Sequence, residues 1–209
     1  MIGYAPGVSA EPPSPLLEGP HPHRIHRPGV FGAAAACFFA SGMAALLYEV
    51  VWTRLLGLVF GHTVYAITTV LAAYMGGLAL GAWFAGRRGD RLARPLRAYA
   101  LLEAGIGLLG AATPLLFRLT EAAYAPLSRA WQPGPLGAGL LHFALAALVL
   151  LPPTALMGAT LPILARVVVE RAGDLGPRVG TLYALNTWGA VAGTALTGFL
   201  LLPAIGLRL

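Results

Sequence analysis

Apolar residues dominate the chain from about residue 30 onward, in long runs separated by short polar links. Five runs stand near 31–59, 63–86, 97–118, 138–165 and 179–203. Each is long enough to cross a hydrocarbon layer of about 30 Å at about 1.5 Å per helical residue. In lipid such runs must be helical, because hydrocarbon cannot satisfy open backbone groups. The pattern predicts an all-α, polytopic transmembrane bundle of about five helices, spanning 30–209.

Residues 1–29 break the pattern. They hold seven of the seventeen prolines, together with the histidine-bearing run HPHRIHR. Proline removes backbone donors and resists helix, so this segment is expected to be a disordered, Pro-rich tail. The same prolines disrupt the helical spacing that a rigid histidine metal site would use. The first apolar run is too long for the core of a signal peptide.

Composition narrows the class further. The chain is 57% hydrophobic and 11% charged, against about 25% charged in soluble domains. All fourteen basic residues are arginine, giving a net charge of +6. They cluster in short links rather than along a groove, which excludes nucleic acid as the expected partner and fits loops on one side of a membrane. Links 87–96 (RRGDRLARPL) and 166–178 are the basic ones. Link 119–137, rich in proline and glycine, carries Arg129 and an interfacial anchor, Trp131. The tail and both basic links are therefore expected in the cytoplasm, and helices 1, 3 and 5 run outward. Cys37 is the sole cysteine, so neither an intrachain disulfide nor a cysteine-based metal site can form.

Several polar residues interrupt the apolar runs. Glu49 and Arg54 lie in the first, within SGMAALLYEVVWTRLLGLVFG. An ionised side chain at the bilayer centre costs roughly 2.5–3.5 kcal/mol on insertion scales, so each needs a partner, a wet cavity or a ligand. Their five-residue separation places them on different helix faces. By depth, Arg54, His62 and His142 fall near the outer level, with Glu49 about a turn and a half deeper. Glu103, Asn186, Tyr183 and Thr160 form a second set nearer the cytoplasm. Two carboxylates without lysine suit a cationic ligand or a proton relay; the alternative is that they tie helices together. No metal ligand spacing appears on the helices.

Pro152-Pro153 and Pro162 should bend or break the fourth helix, either as a bent packing helix or as a broken helix lining a site. Gly77-x-x-x-Gly81 and Gly189-x-x-x-Gly193 predict tight helix contacts. Tyr65-Ala66-x-x-Thr69 is echoed by Tyr183-Ala184-x-x-Thr187, as if helices two and five corresponded in an inverted repeat. On that count a sixth helix is missing beyond Leu209, and a truncated or split chain is expected.

Five strings taken in order resemble the membrane domain of bacterial spermidine-synthase-like proteins, a major-facilitator-like membrane part fused to spermidine synthase. They are SGMAALLYEVVWTRLLGLVFG, VLAAYMGGLALGAWFAGR, RPLRAYALLEAGIG, LPPTALMGATLPILAR and VGTLYALNTWGAVAGTALTGFLLLPAIG. Gly86-x-x-x-Asp90-Arg91-x-x-Arg94 also resembles the loop motif between helices 2 and 3 of major-facilitator transporters, with Ala93 where glycine is usual. The resemblance implies a bacterial inner-membrane, multi-pass module with a cytoplasmic N-terminus. It implies a role in a polyamine system, anchoring a synthase and binding or passing a polyamine or related cation. Candidate ligand contacts are Glu49, Glu103, Arg54, Tyr48, Asn186 and Tyr183, with Gly86, Asp90, Arg91 and Arg94 as the loop motif. The expected partners are the bilayer, a separate synthase chain or second membrane half, and a polyamine. The family's soluble aminopropyltransferase domain carries a glycine-rich nucleotide loop. No such strand–loop–helix unit stands outside the apolar runs, so no catalytic residue, cofactor or metal is expected here, nor enzyme activity. The alternatives are a half-transporter with another substrate and a purely structural membrane anchor.

Overall fold

The structure, a computed structural model, describes residues 28–60, 63–169 and 175–205. Residues 1–27 of the expected tail, with the histidine run, and His62 lie outside the described residues, while Pro28 and Gly29, expected in the tail, open the first helix. Five long helices make up the fold: α1 (Pro28–Phe60), α2 (Thr63–Arg88), α3 (Pro95–Trp131), α4 (Pro135–Val168) and α5 (Leu175–Leu196). After α5 a π-helical turn, Thr197–Leu201, leads into a last helical turn, Leu202–Ile205. No strand occurs among the described residues. All five helices are long and apolar enough to cross a membrane.

Two helices differ from expectation. α3 continues through most of the link expected at 119–137, despite Pro114 and Pro126 inside it. A proline removes one backbone donor, and the helix resumes after it if nothing else opposes helix. The real stop lies at Gln132, in left-handed conformation with its N–H donating to the Ser128 carbonyl at 2.8 Å, followed by Pro133-Gly134. α4 likewise runs unbroken through Pro152, Pro153 and Pro162, so the helix is not broken at these prolines. Pro153 is fully buried there.

Several threonine hydroxyls inside these helices satisfy themselves. Thr154 donates to the Leu150 carbonyl at 2.7 Å, Thr160 to Met157 at 2.6 Å and Thr197 to Gly193 at 2.7 Å. Back-bonding to a helix's own carbonyls lets a buried threonine sit in apolar surroundings without a partner on another helix.

The core has two tiers. One joins Ala34 and Phe38 of α1, Ala85 of α2, Tyr99 of α3, Leu164 of α4 and Leu182 of α5. These are helix starts for α1, α3 and α5 and helix ends for α2 and α4, so the chain alternates up and down. At the other tier, Trp52, Val70, Tyr74, Phe117 and Leu150 close the core without any residue of α5. Both basic links emerge at the first tier.

Contacts between α2 and α4 and between α1 and α5 are the most extensive. Glycines create both. A Cβ on Gly77 or Gly81 would strike Thr154 or the Ala155 backbone of α4, and one on Gly158 would strike Leu78 of α2. Similarly, Gly189 and Gly193 of α5 meet the backbone of Phe39 and Met43, while Gly42 of α1 meets Asn186. Without side chains in the way, backbones approach closely and dispersion contacts accumulate. Exchanging α1 with α4 and α2 with α5 turns one contact into the other, the relation expected of corresponding helices in two repeats.

Candidate functional site

Glu49 opens into a cleft of about 810 Å³. The cleft lies at the tier that α5 leaves open. Its polar lining is Glu49, Thr53 and Arg54 of α1 and Thr194 of α5; Ile67 of α2 and Leu202 beyond the π turn supply apolar walls. Such turns recur at functional sites because they displace a helix wall locally.

The structure corrects one expectation about this pair. Five residues along a helix turn a side chain by about 140°, yet Glu49 and Arg54 line the same cleft. The cleft extends over two adjacent turns of α1, so both residues can line it. They do not form an ion pair with each other, and neither bonds any described residue. Thr53, one turn from Glu49 on the same face, is also half-buried there. Thr194 spends its proton on the Ala190 carbonyl at 3.0 Å, which leaves its oxygen as an acceptor. Buried Tyr74 of α2 lies within electrostatic reach of Glu49.

The remaining candidates are dispersed. Tyr48 stacks on Trp52 at 5.7 Å between ring centres and fills the gap opposite Gly110 of α3. Asn186 donates from Nδ2 to the Phe38 carbonyl at 2.9 Å, tying α5 to α1. Tyr183 is 63% exposed and points away from the bundle. Thr160 bonds its own helix. Glu103 stands one turn from Tyr99 on α3. The Tyr99 hydroxyl and Glu103 Oε1 are both buried, and their approach falls short of hydrogen-bond geometry, leaving each unsatisfied. α3 and α5 have no substantial contact. The four residues expected to form a deeper set therefore do not share one site.

The loop motif is partly assembled. Gly89–Arg91 forms a 3₁₀ turn, and Arg91 and Arg94 are exposed. A Cβ on Gly89 would meet the guanidinium of Arg166, so loop 2–3 rests on the end of α4. Gly86 faces open space. The side chain of Asp90 lies outside what is described. Arg178 donates to the Val168 carbonyl at 2.6 Å and so closes the end of α4.

His142, together with Glu121 and Tyr124, which were not singled out from sequence, lines a second, smaller cavity of about 360 Å³. It lies between α3 and α4. Tyr124 stacks on His142 at 3.7 Å, and His142 Nδ1 lies 3.1 Å from the Ala138 carbonyl. The three-residue spacing of Glu121 and Tyr124 was the available signal, hidden because that stretch read as a loop. No group of metal-ligating side chains occurs among the described residues.

Comparison with known proteins adds one relative. The chain is 31% identical, over 97% of its own length, to polyamine aminopropyltransferase 2 of Streptomyces coelicolor. It spans about a third of that protein, 36% of its length. No protein-family model matches the chain, and no solved structure does. The similarity supports a spermidine-synthase-like relationship for a bundle of five potential membrane helices.

Proposed function

We propose that this chain is the membrane module of a polyamine-related system, holding an aminopropyltransferase at the bacterial inner membrane and offering an amine a site at Glu49. The carrying observation is the Glu49 carboxylate, which bonds no described residue, in a cleft within the apolar span. A carboxylate so placed attracts a cation, and a primary ammonium is the cation that polyamine chemistry provides. The relative, a polyamine aminopropyltransferase, supports the class of partner, and its aligned part corresponds to nearly all of this chain. Arginines at one end of the bundle support a cytoplasmic N-terminus and cytoplasmic loops 2–3 and 4–5. A module in this orientation keeps the synthase on the side where its substrates are made.

Calorimetry on the purified protein in detergent tests the amine site. Putrescine and spermidine should bind saturably to wild type, and Glu49→Gln should weaken both by about tenfold or more. Glu103→Gln should leave both affinities unchanged, because Glu103 lies outside the cleft. Absence of binding to a well-folded wild type would leave only an anchoring role.

A half-transporter is the second reading. The exchange relation between the α1–α5 and α2–α4 contacts favours it, since repeats of this kind build transporters around a midplane site. Amine uptake into proteoliposomes containing only this chain would support it over the anchoring module.

A further inference from the structure

The cleft at Glu49 contains both signs of charge, and that narrows what it can hold. Glu49, Thr53 and Arg54 come from two adjacent turns of α1 and line one space. None of the three bonds any described residue. Their five-residue spacing keeps carboxylate and guanidinium from closing directly on each other. Among the described lining residues the two formal charges cancel but stay separated, with apolar side chains around them. The half-buried Glu49 carboxylate has lost part of its water, and neither it nor the exposed Arg54 gains a partner among the described residues, which a ligand with both charges would supply.

We propose that the cleft takes a dipolar amine, its ammonium on Glu49 and a carboxylate at its other end on Arg54, in preference to a bare polycation. The inference rests on the reading of the cleft as an amine site and names the class within it. A diamine satisfies Glu49 but carries its second ammonium toward Arg54. At separations of several ångströms in a partly buried site, that repulsion is comparable with the attraction that Glu49 supplies. An amino-carboxylate of the same length makes both contacts favourable. Guanidinium and carboxylate also match as planar groups that can share two hydrogen bonds. Thr53 is placed to accept from the ammonium beside Glu49, and the Thr194 oxygen offers a further acceptor across the cleft. Arg54 is thus a specificity-determining residue, and a polycation must enter against it.

Three probes of matched length separate the effects: γ-aminobutyrate, with an ammonium and a carboxylate; putrescine, with two ammoniums; and butylamine, with one. Binding to purified wild-type protein in detergent is measured by calorimetry. γ-Aminobutyrate should bind at least about tenfold more tightly than putrescine, with butylamine between them. Glu49→Gln should weaken all three. Arg54→Gln should weaken γ-aminobutyrate by about tenfold and leave putrescine as tight or tighter. Arg54→Lys, which keeps the charge, should retain the order of the probes. Putrescine binding as tightly as γ-aminobutyrate to wild type would overturn this inference while leaving the amine site standing, provided that Glu49→Gln still abolishes binding. An Arg54→Gln protein with an unchanged ratio would do the same. If no probe binds wild type, the amine site and this inference fall together. The wild-type ranking decides the matter even if a variant fails to fold.

Discussion

Asn186 shows how a residue's chemistry can be legible while its partner is not. A polar amide in an apolar helix needs partners, and a ligand is one way to supply them. Here the partner is the Phe38 carbonyl, 148 positions away in sequence. Nothing local in the chain announces that pairing, because it depends on which helix lies next to α5. The bond sits where Gly42 lets the two backbones approach. Asn186→Ala should therefore cost about 1 kcal/mol, the usual worth of such a bond between membrane helices. It should appear as a lower unfolding temperature in detergent, with amine affinity unchanged. A loss of affinity without a loss of stability would return Asn186 to the binding site. Glu49 was legible for the opposite reason: a carboxylate in an apolar run demands explanation wherever its neighbours are. Its sharing of a cleft with Arg54 was not legible, because periodicity assigns directions to side chains but not the width of the space they enter.

At the scale of helices, the small-residue spacings carried the most information. Gly77, Gly81, Gly189 and Gly193 each lie against another backbone, as their spacing predicts. Their partners, α4 and α1, could not be chosen from the spacing, since any helix with a complementary small residue would serve. These contacts set a sharp contrast among glycines. Gly81→Val and Gly193→Val should each destabilise the bundle by about 2 kcal/mol or more, because the added carbons meet backbone that cannot swing aside. Gly107→Ala and Gly180→Ala face open space and should stabilise by about 0.5–1 kcal/mol through helix propensity. Thermal unfolding followed by circular dichroism in one detergent would order the four variants. If the valine variants matched wild type, close approach would not be what joins these helices. The prolines of α4 misled in a related way. Each marks a missing backbone donor, but the chain cannot say that the helix continues through all three, with Pro153 itself buried.

At the scale of the molecule, the five apolar runs fixed the number of helices, and the up-and-down order follows from which helix ends share a tier. Arginine distribution gives that order a direction. Arg87, Arg88, Arg91, Arg94, Arg166 and Arg178 gather at the end where α2 passes into α3 and α4 into α5. The opposite end has a far shorter connection, residues 132–134, than the sequence implied, because α3 runs on to Trp131. By the positive-inside rule we expect loop 89–94 in the cytoplasm and residues 132–134 outside. A thiol-based test follows from the single cysteine. In a Cys37→Ser background, Leu92→Cys and Gly134→Cys each present one thiol, at positions that are exposed in the fold. With a membrane-impermeant maleimide on spheroplasts, Gly134→Cys should label in intact cells, and Leu92→Cys only after permeabilisation. The reverse pattern would invert the bundle. It would also put the Glu49 cleft, which lies at the tier farther from the arginines, on the cytoplasmic side of the membrane, within direct reach of a synthase docked there. Orientation therefore decides whether an amine in the cleft is received from outside or delivered from within.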